Sequence, residues 1–204
     1  MVKGWHGLFG TFTGVALLTV ALLPVAVLVV WVLARRRRAA GTPGAWRLSL
    51  AEVGIVYGTV PWVWMILLPG SRAGAVTGRL SLVPLHDLVK IFADGPARAT
   101  GQIVGNLLVF AALGFFAPVR FAALASVTRV LALGAGCSVL VEVAQYVLRL
   151  DRVSSVDDVL LNAAGAGLAA LASRRWWRTP ADAPSGQPHP AAVSPAGRRT
   201  AARR

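Results

Sequence analysis

The stretch VLVEVAQYVLRLDRVSSVDDVLLNAAGAG, Val139 to Gly167, sets Glu142, Gln145, Arg152, Asp157, Asp158 and Asn162 between two runs that are otherwise apolar. An ionisable side chain inside a bilayer costs on the order of 2.5–3.5 kcal/mol on insertion scales, so each needs a partner or a water-filled niche. Glu142 and Gln145 are three apart and share a helix face, while Asp158, Asn162 and Gly165 follow the i, i+4, i+7 pattern on the next helix. Asp157 lies well round from that face. The fold therefore turns on whether the flanking runs cross a membrane.

Composition answers that they do. The 204 residues are 56% hydrophobic and 14% charged, too apolar for a soluble domain, and the apolar residues come in blocks of membrane length. The formal charge of +13 arises from arginines at block edges and in the tail, as in cytoplasmic loops and polybasic lipid contacts. No nucleic-acid motif or interleaved aromatic pattern accompanies that charge, so nucleic acid is not an expected partner. Cys137 is the only cysteine, and His6, His86 and His189 are scattered singly, so neither a disulfide framework nor a metal site is expected, and no cofactor is implied. Nineteen of the 21 basic residues are arginine, which with the Ala and Gly content suggests a GC-rich bacterial genome.

Five spans can be read along the chain. The first, Thr11 to Ala34, is followed directly by Arg35 to Arg38 and lacks a cleavage pattern, so it is a retained helix in which Pro24 is tolerated as a kink. The second, Leu48 to Pro69, carries Glu52 near its inner start, Pro61 inside, and Trp62 and Trp64 towards its outer end. Gly70 to Thr100 is Gly/Pro-punctuated and too long to be a simple connector; within it Leu80 to Phe92 is apolar but short of a span, and either lies in the interface or re-enters. The third span, Gly101 to Val119, opens with Gln102 and Asn106 one turn apart. The fourth, Phe121 to Leu148, carries Arg129 near its inner end and small residues at Gly134 and Gly136 that permit close approach. The fifth, Asp157 to Ser173, is short and small-residue-rich. From Thr179 onward the composition is that of a disordered tail.

The expected fold is thus all-α, a polytopic transmembrane helix bundle of about five spans with the N-terminus outside and the C-terminus cytoplasmic. In this topology 14 Lys and Arg lie inside and seven outside, the bias the positive-inside rule requires. The expected organisation is two N-terminal helices with a basic loop (1–69), an outer loop with three helices (70–173) and a basic cytoplasmic tail (174–204).

At 1.5 Å per residue, Asn106, Glu142 with Gln145, and Asn162 should lie roughly 5–10 Å in from the outer helix ends. Arg152, in the connecting loop, can fold over them and pair with Glu142 or Asp158. The bland alternatives stay open. Ser155-x-x-Asp158 or Ser154-x-x-Asp157 reads equally as a capping box, Asn106 and Asn162 as interhelical glue worth roughly 0.6 kcal/mol each, and Gly165 and Gly167 as packing residues. Glu142 is the residue least explained by packing.

NLLVFAALGFFAP (Asn106 to Pro118), VEVAQ (Val141 to Gln145) and DRVSSVDDVLLNAAGAG (Asp151 to Gly167) resemble the signature segments of VanZ-like bacterial membrane proteins, and SLVPLHDLV (Ser81 to Val89) resembles the upstream proline-centred segment. The resemblance covers roughly Ser81 to Gly167 and carries the family's polar signature onto Asn106, Glu142, Gln145, Arg152, Asp158 and Asn162. Val153 and Ser155 stand where many relatives have Ser and Asp, which leaves one fewer acid. The family takes its name from a protein that raises tolerance to teicoplanin, so the resemblance implies a multi-pass protein of the bacterial plasma membrane with an envelope role. Membrane lipids are expected partners, with a lipid-linked or cell-wall head group at the polar cluster.

Three further readings use the same residues. In an enzyme, Glu142 would be a general base with Arg152 and the amides stabilising negative charge, although no nucleophile motif accompanies them. Proton or ion translocation would need a chain of ionisable groups across the membrane, and the acids sit at one end. In the third, the cluster only stitches a helix bundle together. Oligomeric state is not legible in the sequence.

Overall fold

A computed structural model of the protein describes residues 9–75 and 78–177. The expected disordered tail from Thr179, and the extreme N-terminus, lie outside the described residues. Helices α1 (Phe12–Ala39), α2 (Ala45–Ile66), α3 (His86–Ala93), α4 (Pro96–Val109), α5 (Ala111–Arg120), α6 (Val127–Val147) and α7 (Val156–Ser173) follow in order, with strand β1 (Arg79–Ser81) before α3 and β2 (Val153–Ser155) before α7. Five helical segments are long and apolar enough to cross a membrane: α1, α2, α4 running into α5, α6, and α7 with its short extension to Trp176. The protein is an all-α, multi-pass membrane bundle.

Helix α7 is the hub, packed against α6 on one side and α4 and α5 on the other; α2 lies on α5 and α1 outermost on α2. Small residues make the central contacts possible. A Cβ at Gly165 would enter the Leu107 backbone, and one at Gly114 the backbone of Ala166, so α7 and the third span meet backbone to backbone. Gly134 approaches Ala166 similarly, whereas Gly136, expected to permit close approach, faces open space. Val109, Phe110, Val130, Val141, Ala166 and Ala170 form a buried apolar cluster. Leu17, Val20 and Val27 on α1 are more than half exposed, as side chains facing lipid should be.

Helix boundaries depart from the sequence reading in informative ways. The arginine run is not a flanking loop but the last turns of α1, where cations oppose the carbonyl end of the helix dipole. Helix α6 starts only at Val127, because Phe121 and Ser126 are extended and Ala122–Leu124 form a 3₁₀ turn. Pro24 is accommodated inside α1; Tyr57 Oη of α2 donates to the Thr19 carbonyl at 2.6 Å, next to the Val20 carbonyl that the proline leaves without its usual donor. At the arginine end, Glu52 accepts from Arg37 and Arg120, both at 2.5 Å, so one acid ties α1, α2 and α5 together.

The segment Leu80 to Phe92 is not one continuous helix. Its first residues pair in parallel with β2, Arg79 opposite Val153 and Ser81 opposite Ser155, and only His86–Ala93 is helical. The loop is thereby attached to the start of α7.

Candidate functional site

At the end of the bundle opposite the arginine run, a cavity of about 570 Å³ opens between α2, α4, α6 and α7. Asn106, Glu142, Gln145, Arg152, Asp158 and Asn162, the six residues singled out from the sequence, all line it. Helix α4 contributes a single face, Arg98, Gln102 and Asn106 at i, i+4, i+8, with Gly101 and Gly105 beside them. A Cβ at either glycine would meet nothing within 4 Å, so these two positions are what keeps the cavity wide. Phe12, Trp62, Met65 and Ile66 form the opposing apolar wall.

The polar side chains are held in place by one another and by the backbone. Asn106 Nδ2 donates to Asp158 Oδ1, and Gln102 also hydrogen-bonds that carboxylate. Helix α4 begins at Pro96, earlier than the sequence suggested. Asn106 is therefore about 15 Å along its helix yet level with the third residue of α7, so the first turns of α4, with Arg98, stand above the cavity as its rim. Gln145 Nε2 donates to the Ile66 carbonyl at 2.8 Å, and Asn162 Nδ2 to Ser138 Oγ at 2.8 Å. Asn162 lines the cavity, is 2% exposed, and its buried Oδ1 has no partner.

Arg152 does not pair with Glu142 or Asp158, which corrects the sequence expectation. Its Nη2 donates to the Leu68 carbonyl at 3.3 Å, and its buried Nε is without a partner. The cause is the path of the loop. Gly70 N donates to the Leu150 carbonyl and Gly74 N to Arg149, both at 2.9 Å, which lays residues 149–152 along the end of α2 and brings the Leu68 carbonyl to the guanidinium. Asp151, in the left-handed region at φ 55°, takes up the neighbouring cations instead, Arg72 at 3.4 Å and Arg79 at 3.8 Å. Glu142 and Asp158 line the same cavity, and among the described residues neither has an ion-pair partner.

The capping box expected at the start of α7 is half formed, and the missing half involves Glu142. Ser155 is the N-cap and its Oγ accepts from Asp157 N at 3.2 Å. In a complete box the acid at the third helical position, Asp158, would accept from Ser155 N. Glu142 Oε2 takes that N–H at 3.1 Å, which frees Asp158 for the cavity. Ser154 Oγ donates to the Glu142 carbonyl at 2.9 Å, so the start of α7 and the end of α6 are stitched twice.

Two acids that sequence reasoning left outside the cluster hold the loop between α2 and α4. Asp157, 2% exposed, accepts from the backbone N–H of Leu85 at 2.5 Å, Asp87 at 3.0 Å and Leu88 at 3.1 Å. It caps α3 from another helix, since Leu85 carries no capping side chain. Asp87 accepts from Ser155 Oγ at 2.6 Å. Burial works against its charge, but the bonds from Ser155 and Ser81, with His86 and Lys90 nearby, hold its carboxyl below the usual range. The pointer in the sequence was the polar pair His86-Asp87 inside an apolar segment, without a signal for its partner.

The family profile described as VanZ/LLP1 matches residues 55–177, more than half of the chain and all the polar residues lining the cavity. The chain belongs to the VanZ/LLP1 family. The match begins inside α2, so α1 and the first half of α2 precede the part that this VanZ/LLP1 protein shares with the profile. No curated protein and no solved structure matches it.

Proposed function

We propose that this VanZ/LLP1 protein is a non-transporting component of the bacterial plasma membrane whose cavity, opening outward, recognises a lipid-linked or cell-wall head group and so alters how lipid-tailed glycopeptides of the teicoplanin type engage the surface. One observation carries the reading: charged and amide side chains from three spans and a loop line a single cavity that two glycines keep open, against an apolar wall. That is the composition of a small-molecule site, a few placed polar groups in a largely apolar cleft. Stitching alone would not call for two unpaired carboxylates and an open volume. Binding is favoured over catalysis at a serine because both nearby hydroxyls are committed, Ser154 to the Glu142 carbonyl and Ser155 to Asp87.

The test uses the glycines. Gly105→Leu adds a side chain at a cavity-lining position where a Cβ meets nothing within 4 Å. In a strain expressing the wild type, susceptibility to teicoplanin should fall more than susceptibility to vancomycin, and Gly105→Leu and Asp158→Asn should each remove the difference at equal protein levels in the membrane. Full protection by both variants would sink the proposal. Alkaline phosphatase fused after residue 151 should be active and fused after Arg178 inactive; the reverse pattern would turn the cavity inward.

A further inference from the structure

The groups lining the cavity differ in kind from its depth to its rim. At depth they accept hydrogen bonds: the Glu142 and Asp158 carboxylates, with no cation within ion-pairing distance, and the unpartnered Oδ1 of buried Asn162. At the rim lie donors, Arg152 with its buried Nε unpartnered and Arg98, paired at 3.5 Å with the half-exposed Asp94, while the Asp151 carboxylate there is taken up by Arg72 and Arg79. Resting on the head-group reading above, we propose that the ligand is zwitterionic, a primary ammonium seated among Glu142, Asp158 and Asn162, with a phosphate next to it at Arg152, as in an aminoethyl phosphate head group.

Physical chemistry selects each half. Two carboxylates lining one partly enclosed cavity favour a cation seated between them, and among the described residues no basic side chain is within ion-pairing distance of either. A primary ammonium carries three donors, matching three acceptors on two helices; a quaternary ammonium carries none. Among the described residues no third carboxylate, histidine or cysteine completes a metal-binding group there. Arginine's planar fork suits a phosphate, and Nε with an Nη is one of its two bidentate edges. The apolar wall of Phe12, Trp62 and Met65 offers the adjoining carbons of a lipid a dry surface.

The experiment measures lipid retained by the purified full-length protein, using native mass spectrometry from nanodiscs that contain phosphatidylethanolamine, phosphatidylcholine and phosphatidylglycerol in equal parts. Phosphatidylethanolamine should be enriched about tenfold or more over each of the other two, the factor that one charge-assisted hydrogen bond is worth. Asp158→Asn and Glu142→Gln should erase the preference over phosphatidylglycerol, and Arg152→Ala should weaken retention of phosphatidylethanolamine. Two carboxylate variants are used because Glu142 also caps α7 and its loss can unfold the start of that helix. Soluble phosphoethanolamine separates the sources: competition assigns recognition to the head group alone, and its failure assigns recognition to the intact lipid. Equal enrichment of phosphatidylglycerol, or a preference that follows added magnesium and vanishes with a chelator, overturns the ammonium while leaving a head-group site. Equal retention of every lipid by wild type and Gly105→Leu removes the site itself.

Discussion

Asp157→Ala isolates the device that fixes the loop between α2 and α4. In the folded protein one carboxylate, almost fully buried, accepts three backbone N–H groups at the start of α3 and supports Leu85 in the left-handed region at φ 65°. A hydrogen bond to a charged group contributes about 1.5–3 kcal/mol, and a strained non-glycine residue costs about 1–3 kcal/mol that the surroundings must offset. Since α3 has no fully buried residue, water can reach the freed N–H groups and recover part of the loss. A net cost of about 3–4 kcal/mol follows if one to two of the three bonds go uncompensated. Apolar contacts that could hold α3 without its cap are few, so the loss should appear as local opening and not as unfolding of the bundle. Hydrogen exchange of the reconstituted protein reads it directly: amides of His86–Ala93 should exchange about a hundredfold faster or more, at 1.4 kcal/mol per decade, with α6 unchanged. Asp157→Asn, which keeps one acceptor, should lie between. If exchange in α3 rises less than about threefold in Asp157→Ala, the cross-helix cap is not what holds the loop, and the reasoning fails.

Three shorter predictions concern the rest of the frame. Gly165→Ala drives a methyl into the Leu107 backbone and should abolish accumulation of folded protein in the membrane, whereas Gly101→Ala, facing open space, should accumulate like wild type; equal yields would mean that α7 does not meet the third span backbone to backbone. Glu52→Gln leaves Arg37 and Arg120 without their shared acid at a half-buried site, so a loss of about 1–2 kcal/mol and a Tm lower by a few degrees in detergent are expected, and an unchanged Tm would mark the pair as inert. Asp87 has its folded pKa depressed, so its stabilisation of the loop is present above the ordinary carboxylate value, about 3.9, and is lost as pH falls below that value through the lowered one. Exchange in α3 should therefore be insensitive to this group from neutral pH down to about 4 and quicken below it, and Asp87→Asn should remove that step; a step that persists in the variant belongs to another group.

Spans and cluster were legible for the same reason: an apolar run of membrane length has few alternatives, and a polar residue inside one must face something polar. Glu142 and Asn162 could be brought to one level from depth alone, whereas Asn106 lies deeper in its helix than the roughly 5–10 Å expected, because α4 starts earlier, at Pro96. What helical periodicity does not contain is the identity of whatever covers the other face of a helix. Asp157 was placed correctly as lying round from Asp158, yet its partners are backbone N–H groups about 70 residues earlier in the chain, and backbone leaves no mark on side-chain spacing. The strands that carry the loop there have three residues each, too few for an alternating pattern to register. Nearness in sequence points Arg152 at the acids; the Leu68 carbonyl, in the turn after α2 and more than 80 residues away, takes that place. Gly136 carries the complementary lesson, since a small residue permits an approach but does not cause one.

The parallel pairing of Arg79–Ser81 with Val153–Ser155 has a consequence for biosynthesis. The two strands are separated in the chain by the third and fourth spans, so their pairing closes a ring that contains both. A chain leaving the ribosome N-terminus first delivers β1 long before β2 exists, and the loop between α2 and α4 stays unclasped through the insertion of two helices. Only when the start of α7 emerges do Asp157, Ser155 and Asp158 arrive together, one to cap the loop, one to cap its own helix and one to complete the cavity. Assembly of the site is therefore the last event of synthesis within the described chain, and a nascent protein stalled before Val153 would hold most of its spans in the membrane with the cavity unbuilt and the loop open to proteases.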